Sequence, residues 1–409
     1  MHPTTAPHST TAPHPTSAPH PTTSPRPPRA SAALLAAACA LAGCGHPNTR
    51  MTTRARPPTE PTEPTEPTMP TMSPDRDVTF ASGEVTLHGS LRLPVDAADP
   101  VPAALIIAGS GPTDRDGNSA VPGHTDKVDT YRWLADQLGA RGYASLRYDK
   151  FGAGATGLGP YTPTDLGGLS FKDTFVRHAQ DALAYLAAQP GVDARRLIII
   201  GHSEGGMIAL AVATDAATAP KPAQLALLEP QYGTILGILG AQLEQKLREV
   251  VAAGALPAAD GAALTAWMQA GIRGLIAGAP VPSPLVLPLP AATGVGQQLQ
   301  AVIAGVVYNA ANQRLLRTEN ELDPVAMAAR VTAPGSVLIT CGAKDWNTPC
   351  AEVARLAAAF PPGVARLVTL PDTVHELRDV GAADGTQVPL SDYPKLPFSP
   401  VLADALRTL

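Results

Sequence analysis

Aromatic residues make up only 4% of the 409-residue chain, and it has four cysteines. Positive charge is not in surplus either. Thirty Lys and Arg stand against 35 Asp and Glu, a formal net charge of −5. That balance offers no basic surface for nucleic acid and no polybasic patch for an anionic membrane, so nucleic-acid binding drops out. The apolar run Ala30–Leu41 is too short to span a bilayer as a mature helix. What the chain does have is a 44% hydrophobic fraction, enough for a sizeable core. Its length suits one large domain or two medium ones. Pro (44) and Gly (36) are abundant, and a large share of the prolines precede Asp75, so the N-terminal quarter is a separate case.

Residues 1–25 repeat Pro, Thr, His and Ala and bury nothing, which is low complexity. Arg26 and Arg29, the short apolar run and a small-residue end at Leu41-Ala42-Gly43-Cys44 follow the layout of a secretory signal. The tetrapeptide resembles a bacterial lipobox, whose cysteine is lipid-modified and becomes the first mature residue. That resemblance makes residues 1–44 an extension plus lipoprotein-type signal and Cys44 a membrane anchor, stable because several acyl chains act together. The chain is then exported and held at a membrane; translation from Met51 would instead leave it cytoplasmic. Residues 45–75, with Thr-Glu-Pro repeats from Thr59 to Thr68, read as a proline-stiffened linker. Cys341 and Cys350 remain for the body. An exported protein permits a disulfide between them, two buried thiols being the alternative.

From residue 76 to 409 strands alternate with helices. Val78–Ala81 and Val85–Leu93 read as an antiparallel pair turning at Ser82-Gly83. Ala103–Ala108, Ala144–Tyr148, Leu197–Ile200, Leu225–Leu228, Val337–Thr340 and Leu367–Leu370 read as strands. Thr130–Arg141, Phe171–Gln189, Gly205–Thr214, Ala351–Phe360 and Val401–Leu409 read as helices. This order predicts an α/β fold with a mostly parallel sheet covered on both faces, and function at the carboxyl ends of its strands. Residues 231–329 break the rhythm with amphipathic stretches (Leu236–Ala252, Ala262–Ile276) and the Pro-rich Pro280–Pro290, which predicts a helical cap.

Gly201-His202-Ser203-Glu204-Gly205 matches G-x-S-x-G directly after an aliphatic strand and at the start of a helix. The pattern alone is common; its position is informative. A serine on a sharp strand-to-helix turn is lifted clear of the sheet, and flanking glycines let the backbone pack close. The plainer alternative is a Gly-rich turn with a capping serine. A serine hydroxyl needs a base oriented by a third group. His375 is the only histidine after Ser203 and follows the strand Leu367–Leu370, so it is the base candidate. His88, His124 and His178 read as surface or packing residues, and His202 as packing against the sheet. Two residues compete for the acid: Asp345, after Val337–Thr340, is favoured by position, and Glu229, after Leu225–Leu228, is the alternative. Asp372 reads as a turn former. The backbone N–H of Glu204 is the first oxyanion donor, and Ser110, in Gly109-Ser110-Gly111, the second. Losing such a donor costs about 2.7–4 kcal/mol in the barrier.

Gly109–Asn118, Arg147-Tyr148-Asp149-Lys150 and Gly201–Gly206 together resemble bacterial α/β-hydrolases of the EstD-like esterase type, related to the serine aminopeptidase and dienelactone hydrolase families. The resemblance runs from about Asp77 to the C-terminus. It implies the α/β-hydrolase fold, a Ser203–His375–Asp345 triad, no metal or organic cofactor, and cleavage of small-molecule carboxylic esters of short to medium acyl chains. Phe151 departs from it, since such proteins usually carry Arg after Asp-Lys. The cap matches weakly, so substrate preference does not carry over. Asp114, Arg115 and Asp116 either touch substrate or fasten their loop to Asp149 and Lys150 through ion pairs, the second being the plainer reading.

Two other functions stay open. A peptidase or amidase would use the same triad and need pocket carboxylates for a substrate amine, with Glu244, Glu249 and Glu321 as candidates whose commoner home is a helix surface. A tethered domain that has lost activity and only binds ligand is the other. Trp267, Met268, Leu275 and Tyr308 are either cap core or pocket wall.

Overall fold

A computed structural model describes residues 71–95, 97–119, 127–279, 294–333 and 335–409. The signal-like segment with Cys39 and Cys44, Met51, most of the linker, His124 and Pro280–Pro290 lie outside the described residues.

Eight strands form one sheet: β1 (Arg76–Ser82), β2 (Val85–Arg92), β3 (Val101–Ile107), β4 (Ala144–Tyr148), β5 (Val192–His202), β6 (Gln224–Leu228), β7 (Val337–Gly342) and β8 (Ala365–Leu370). Their spatial order is β1-β2-β4-β3-β5-β6-β7-β8. β1 pairs with β2 and β2 with β4 antiparallel, and every later pairing is parallel. The β1–β2 hairpin closes through Gly83 and Glu84, with Gly83 at φ 58°, a left-handed value that glycine takes without a Cβ clash. β5 is longer than its aliphatic core, because Val192–Arg196 are partly exposed and largely polar and carry no apolar signal.

The central strands are buried on both faces, which is why they read as unbroken aliphatic runs. Along β3, Ala103, Leu105 and Ile107 join one core cluster while Ala104 and Ile106 join the other. Helices α2 (Arg177–Ala187), α3 (Glu204–Thr214) and α9 (Cys350–Ala358) cover the first face; α1 (Thr130–Gly139) and α10 (Pro400–Ala405) cover the second. The segment expected as one helix from Phe171 opens with a π turn, Lys172–Val176, before α2. Each leucine fully withdrawn from water here contributes about 1.5–3 kcal/mol.

Between β6 and β7 stand α4 (Ile235–Ala252), α5 (Ala258–Ile276), α6 (Gly294–Val307), α7 (Ala310–Asn320) and α8 (Pro324–Ala328). Helices α4 to α7 share a core of their own built on Leu239, Leu243, Leu264, Met268, Ile303 and Leu316. Met327 and Ala328 of α8 pack with the sheet instead. Trp267 stacks on Tyr308 at 4.4 Å, and with Met268 and Leu275 belongs to this cap core. The sheet order, the two antiparallel pairings at one edge, the helices on both faces and the cap make this an α/β-hydrolase fold.

Candidate active site

Ser203 occupies the single residue between β5 and α3, with φ 55° and ψ −123°. A non-glycine residue in that region costs on the order of 1–3 kcal/mol and persists only where its surroundings impose it. They do so here. The Ser203 N–H donates to the Leu228 carbonyl at 3.0 Å, and the Ser203 carbonyl accepts from Gly206 at 2.9 Å and Gln231 at 3.0 Å. A Cβ on Gly205 would strike the Ile107 carbonyl oxygen, and one on Gly201 the Gly205 carbonyl. The two glycines of the motif therefore let β5, α3 and the end of β3 meet.

His375 and Asp345 lie in the loops after β8 and β7. His375 Nδ1 is 2.7 Å from Asp345 Oδ2. The same oxygen accepts from the Thr348 hydroxyl at 2.5 Å, and Oδ1 accepts from the N–H groups of Asn347 (2.7 Å) and Thr348 (3.1 Å). Burial opposes the Asp345 charge, but His375 and these donors outweigh it and hold the carboxyl below its usual range. Burial would likewise lower His375; Asp345, then Glu376 and Glu229, reverse that and carry it up to about 9. Cys341 and Cys350 are joined by a disulfide that brackets the Asp345 loop.

Glu229, the competing acid, is fully buried at φ 45°. It accepts from the Gly342 N–H and lies 3.4 Å from the Thr340 hydroxyl. Burial first, then the nearby Asp345 charge, push its carboxyl well above the usual range. The two acids are thus driven apart, Asp345 downward beside His375 and Glu229 upward behind it. Asp372 is half-buried in a turn closed by the Val380 N–H on its carbonyl at 2.8 Å.

The structure corrects the reading of His202. Instead of only packing, its Nε2 is 2.7 Å from the His375 carbonyl and its Nδ1 2.9 Å from the Tyr131 hydroxyl. That hydroxyl accepts from the Gly109 N–H at 2.8 Å. Burial, then the adjacent His375, lower His202 to about 3 and keep it neutral. His178 is buried beside Phe151, and His88 is half-buried.

The Gly109–Asn118 loop is fastened as expected, with one exception. Arg115 pairs with Asp149 (3.4 Å) and Asp77 (2.7 Å), and Asp116 with Arg147 (2.8 Å). Asp114 accepts from the N–H groups of Asp116 and Asn118, both at 2.9 Å. Lys150 takes no part. It pairs instead with Glu204 at 2.5 Å, an ion pair buried on both sides. Phe151 packs against Tyr161 and Phe175.

Ser203, Ser110, Glu204 and His375 line one cleft of ≈ 710 Å³ including its mouth. The cap supplies its apolar wall through Ile235, Ile238, Leu239, Val306 and Leu316. Glu244, Glu249 and Glu321 do not line it: Glu244 pairs with Arg248, Glu249 with Lys246, and Glu321 is exposed at the end of α7. Tyr131, the Lys150–Glu204 pair and the cap wall carried no sequence signal, since contacts this remote along the chain have no local spacing. For His202 the sequence marks only the position, beside the nucleophile, and not the bridging role. Among the described residues no group of three or more His, Cys, Asp or Glu is set to hold a metal ion.

Residues 119–266 match a family model described as serine aminopeptidase, S33. Similar solved structures include the α/β hydrolase GrgF from Penicillium sp. sh18, with 17% identity, 74% of this chain and 91% of that one covered, and a TM-score of 0.42. An acetyl xylan esterase from Paenibacillus sp. R4 has 17% identity over 75% and 79% of the two chains, TM-score 0.43. Est1E from Butyrivibrio proteoclasticus, solved with ferulic acid bound, has 15% identity over 78% and 96%, TM-score 0.42. No curated protein matches. The family match and the observed architecture together put the chain among hydrolases of the α/β fold.

Proposed function

We propose that the chain is a serine carboxylesterase, with Ser203 as nucleophile, His375 as general base and acid, and Asp345 as the orienting carboxylate. The observation that carries this reading is the 2.7 Å His375–Asp345 bond on the same cleft as a serine in a strained turn. Because Nδ1 is bonded to Asp345, Nε2 is the nitrogen left for the serine proton. Ser203 Oγ attacks the ester carbonyl as His375 takes its proton. His375 returns the proton to the departing alcohol, and water, activated by the same imidazole, releases the acid from the acyl-enzyme. The N–H of Glu204, at the positive end of α3, and Ser110 stabilise the oxyanion.

The apolar cap wall suits acyl chains of short to medium length. A peptidase reading is favoured by the description of the matched family. Against it, none of Glu244, Glu249 and Glu321 lines the cleft to receive a substrate amine. An inactive binding domain is disfavoured by the full set of catalytic residues. Export and tethering through Cys44 belong to the same proposal and rest on the lipobox-like tetrapeptide; no helix among the described residues is long and apolar enough to cross a membrane. Rates on p-nitrophenyl esters against aminoacyl-nitroanilides test the reading. Turnover of the esters at least tenfold faster is expected, and turnover of the anilides alone would overturn it.

A further inference from the structure

Three ionisable side chains close enough to feel one another's charge have almost no access to water: Lys150, Glu204 and Glu319, at 2%, 3% and 1% exposure. Glu204 opens α3 beside the nucleophile, and Glu319 stands near the end of cap helix α7. Lys150 Nζ is bonded to Glu204 Oε1. The other oxygen of Glu204, Oε2, and the Oε1 of Glu319 are both buried, and neither has a donor among the described residues. Glu204 and Lys150 are the charged neighbours that Glu319 feels, and the Gln231 side chain weakly favours its ionised form. Tyr148 also feels the Glu204 charge, but its hydroxyl makes no hydrogen bond among the described residues.

If both carboxyls were ionised, one lysine would serve two buried anions and two oxygens would lack donors. Each unsatisfied group would cost about 1–3 kcal/mol, more when charged. A single proton between the two carboxyls removes both defects. We place it on Glu319, because Glu204 already has Lys150 as its ion-pair partner and Glu319 has none among the described residues. We propose that Glu319 carries a proton at neutral pH and donates it in a hydrogen bond to Glu204 Oε2, so that the cap holds the residue whose backbone N–H completes the oxyanion site. Burial, and after it the Glu204 charge, push the Glu319 carboxyl well above its usual range, in agreement. Glu319 is a positioning residue: it acts through Glu204 and does not line the cleft. The part of this inference that concerns turnover rests on the esterase reading; the shared proton does not.

The test compares wild type, Glu319→Gln and Glu319→Leu. The amide can still donate to Glu204, so E319Q is expected to keep neutral-pH kcat close to wild type, while E319L loses about tenfold or more in kcat with KM little changed. In wild type, kcat falls again at alkaline pH as Glu319 ionises against Glu204, and in E319Q that falling limb is absent. Melting temperature against pH gives a readout that needs no turnover. A carboxyl raised on folding contributes stability below its unfolded value, about 4.3, and loses it as pH rises through the folded value. Wild type should therefore lose stability relative to E319Q over that range. Parallel melting curves for the two would overturn the shared proton, and full kcat in E319L would overturn the positioning role. If wild type cleaves no ester but its melting curve diverges from that of E319Q, the esterase reading fails and the proton pair stands.

Discussion

The His202 Nε2 atom lies 2.7 Å from the backbone carbonyl oxygen of His375. A carbonyl only accepts, so Nε2 carries the hydrogen and Nδ1 must accept from the Tyr131 hydroxyl, whose own oxygen accepts from the Gly109 N–H. One neutral imidazole thus ties three loops together: that of Ser110, that of Ser203 and that of His375.

Tyr131→Phe tests this tie. It leaves the Gly109 N–H and His202 Nδ1 buried without partners, at a cost of about 1–3 kcal/mol each. Denaturant melts should show a loss in that range, and kcat should fall with KM little changed, since Tyr131 does not line the cleft. Unchanged stability and kcat would mean that the network does no positioning.

The pH dependence has a definite sign. His375 acts as a base only when neutral, and its pKa is raised to about 9. On the ascending limb kcat/KM should therefore rise with pH, with a midpoint well above the ordinary imidazole value of about 6.5. The same shift stabilises the fold fully below about pH 6.5, and that contribution is lost as pH rises through about 9. A pH–rate profile with its ascending midpoint at or below about 6.5 would show that Asp345 does not hold the imidazolium.

Asp345→Asn and Glu229→Gln separate the two acids. Asp345→Asn should lower kcat by a factor on the order of 10⁴, because the imidazole loses its orienting charge. Glu229→Gln replaces a carboxyl that burial pushes up by an amide whose oxygen can still accept from the Gly342 N–H, and most turnover should survive. The reverse pattern in single-turnover rates would make Glu229 the acid.

Reducing the Cys341–Cys350 disulfide frees the loop that carries Asp345. For a ring of about ten residues the expected loss is about 2–3 kcal/mol, accompanied by a lower kcat. The double variant Cys341→Ser/Cys350→Ser should melt lower than the oxidised wild type and respond no further to reductant.

Much of the sheet was legible because its central strands are buried on both faces and so read as unbroken aliphatic runs. The elbow was legible because Gly201 and Gly205 are required by close backbone contacts. Chain order pointed to His375 and Asp345. The partner of Glu204 was not legible: Lys150 and Glu319 lie far from it in sequence, and which charges pair in a buried cluster depends on packing. Nor was the role of His202, since a histidine beside a nucleophile has the same letter whether it packs or bridges. The cap wall stayed open because amphipathic helices reveal that one face is buried, not what it faces.

Covalent labelling of Ser203 by a fluorophosphonate is the most direct test of the account. Wild-type protein should be labelled at Ser203, as read by mass spectrometry of the peptide, and Ser203→Ala should take up none. Folded wild-type protein that stays unlabelled, or that is labelled equally in the Ser203→Ala variant, would contradict it.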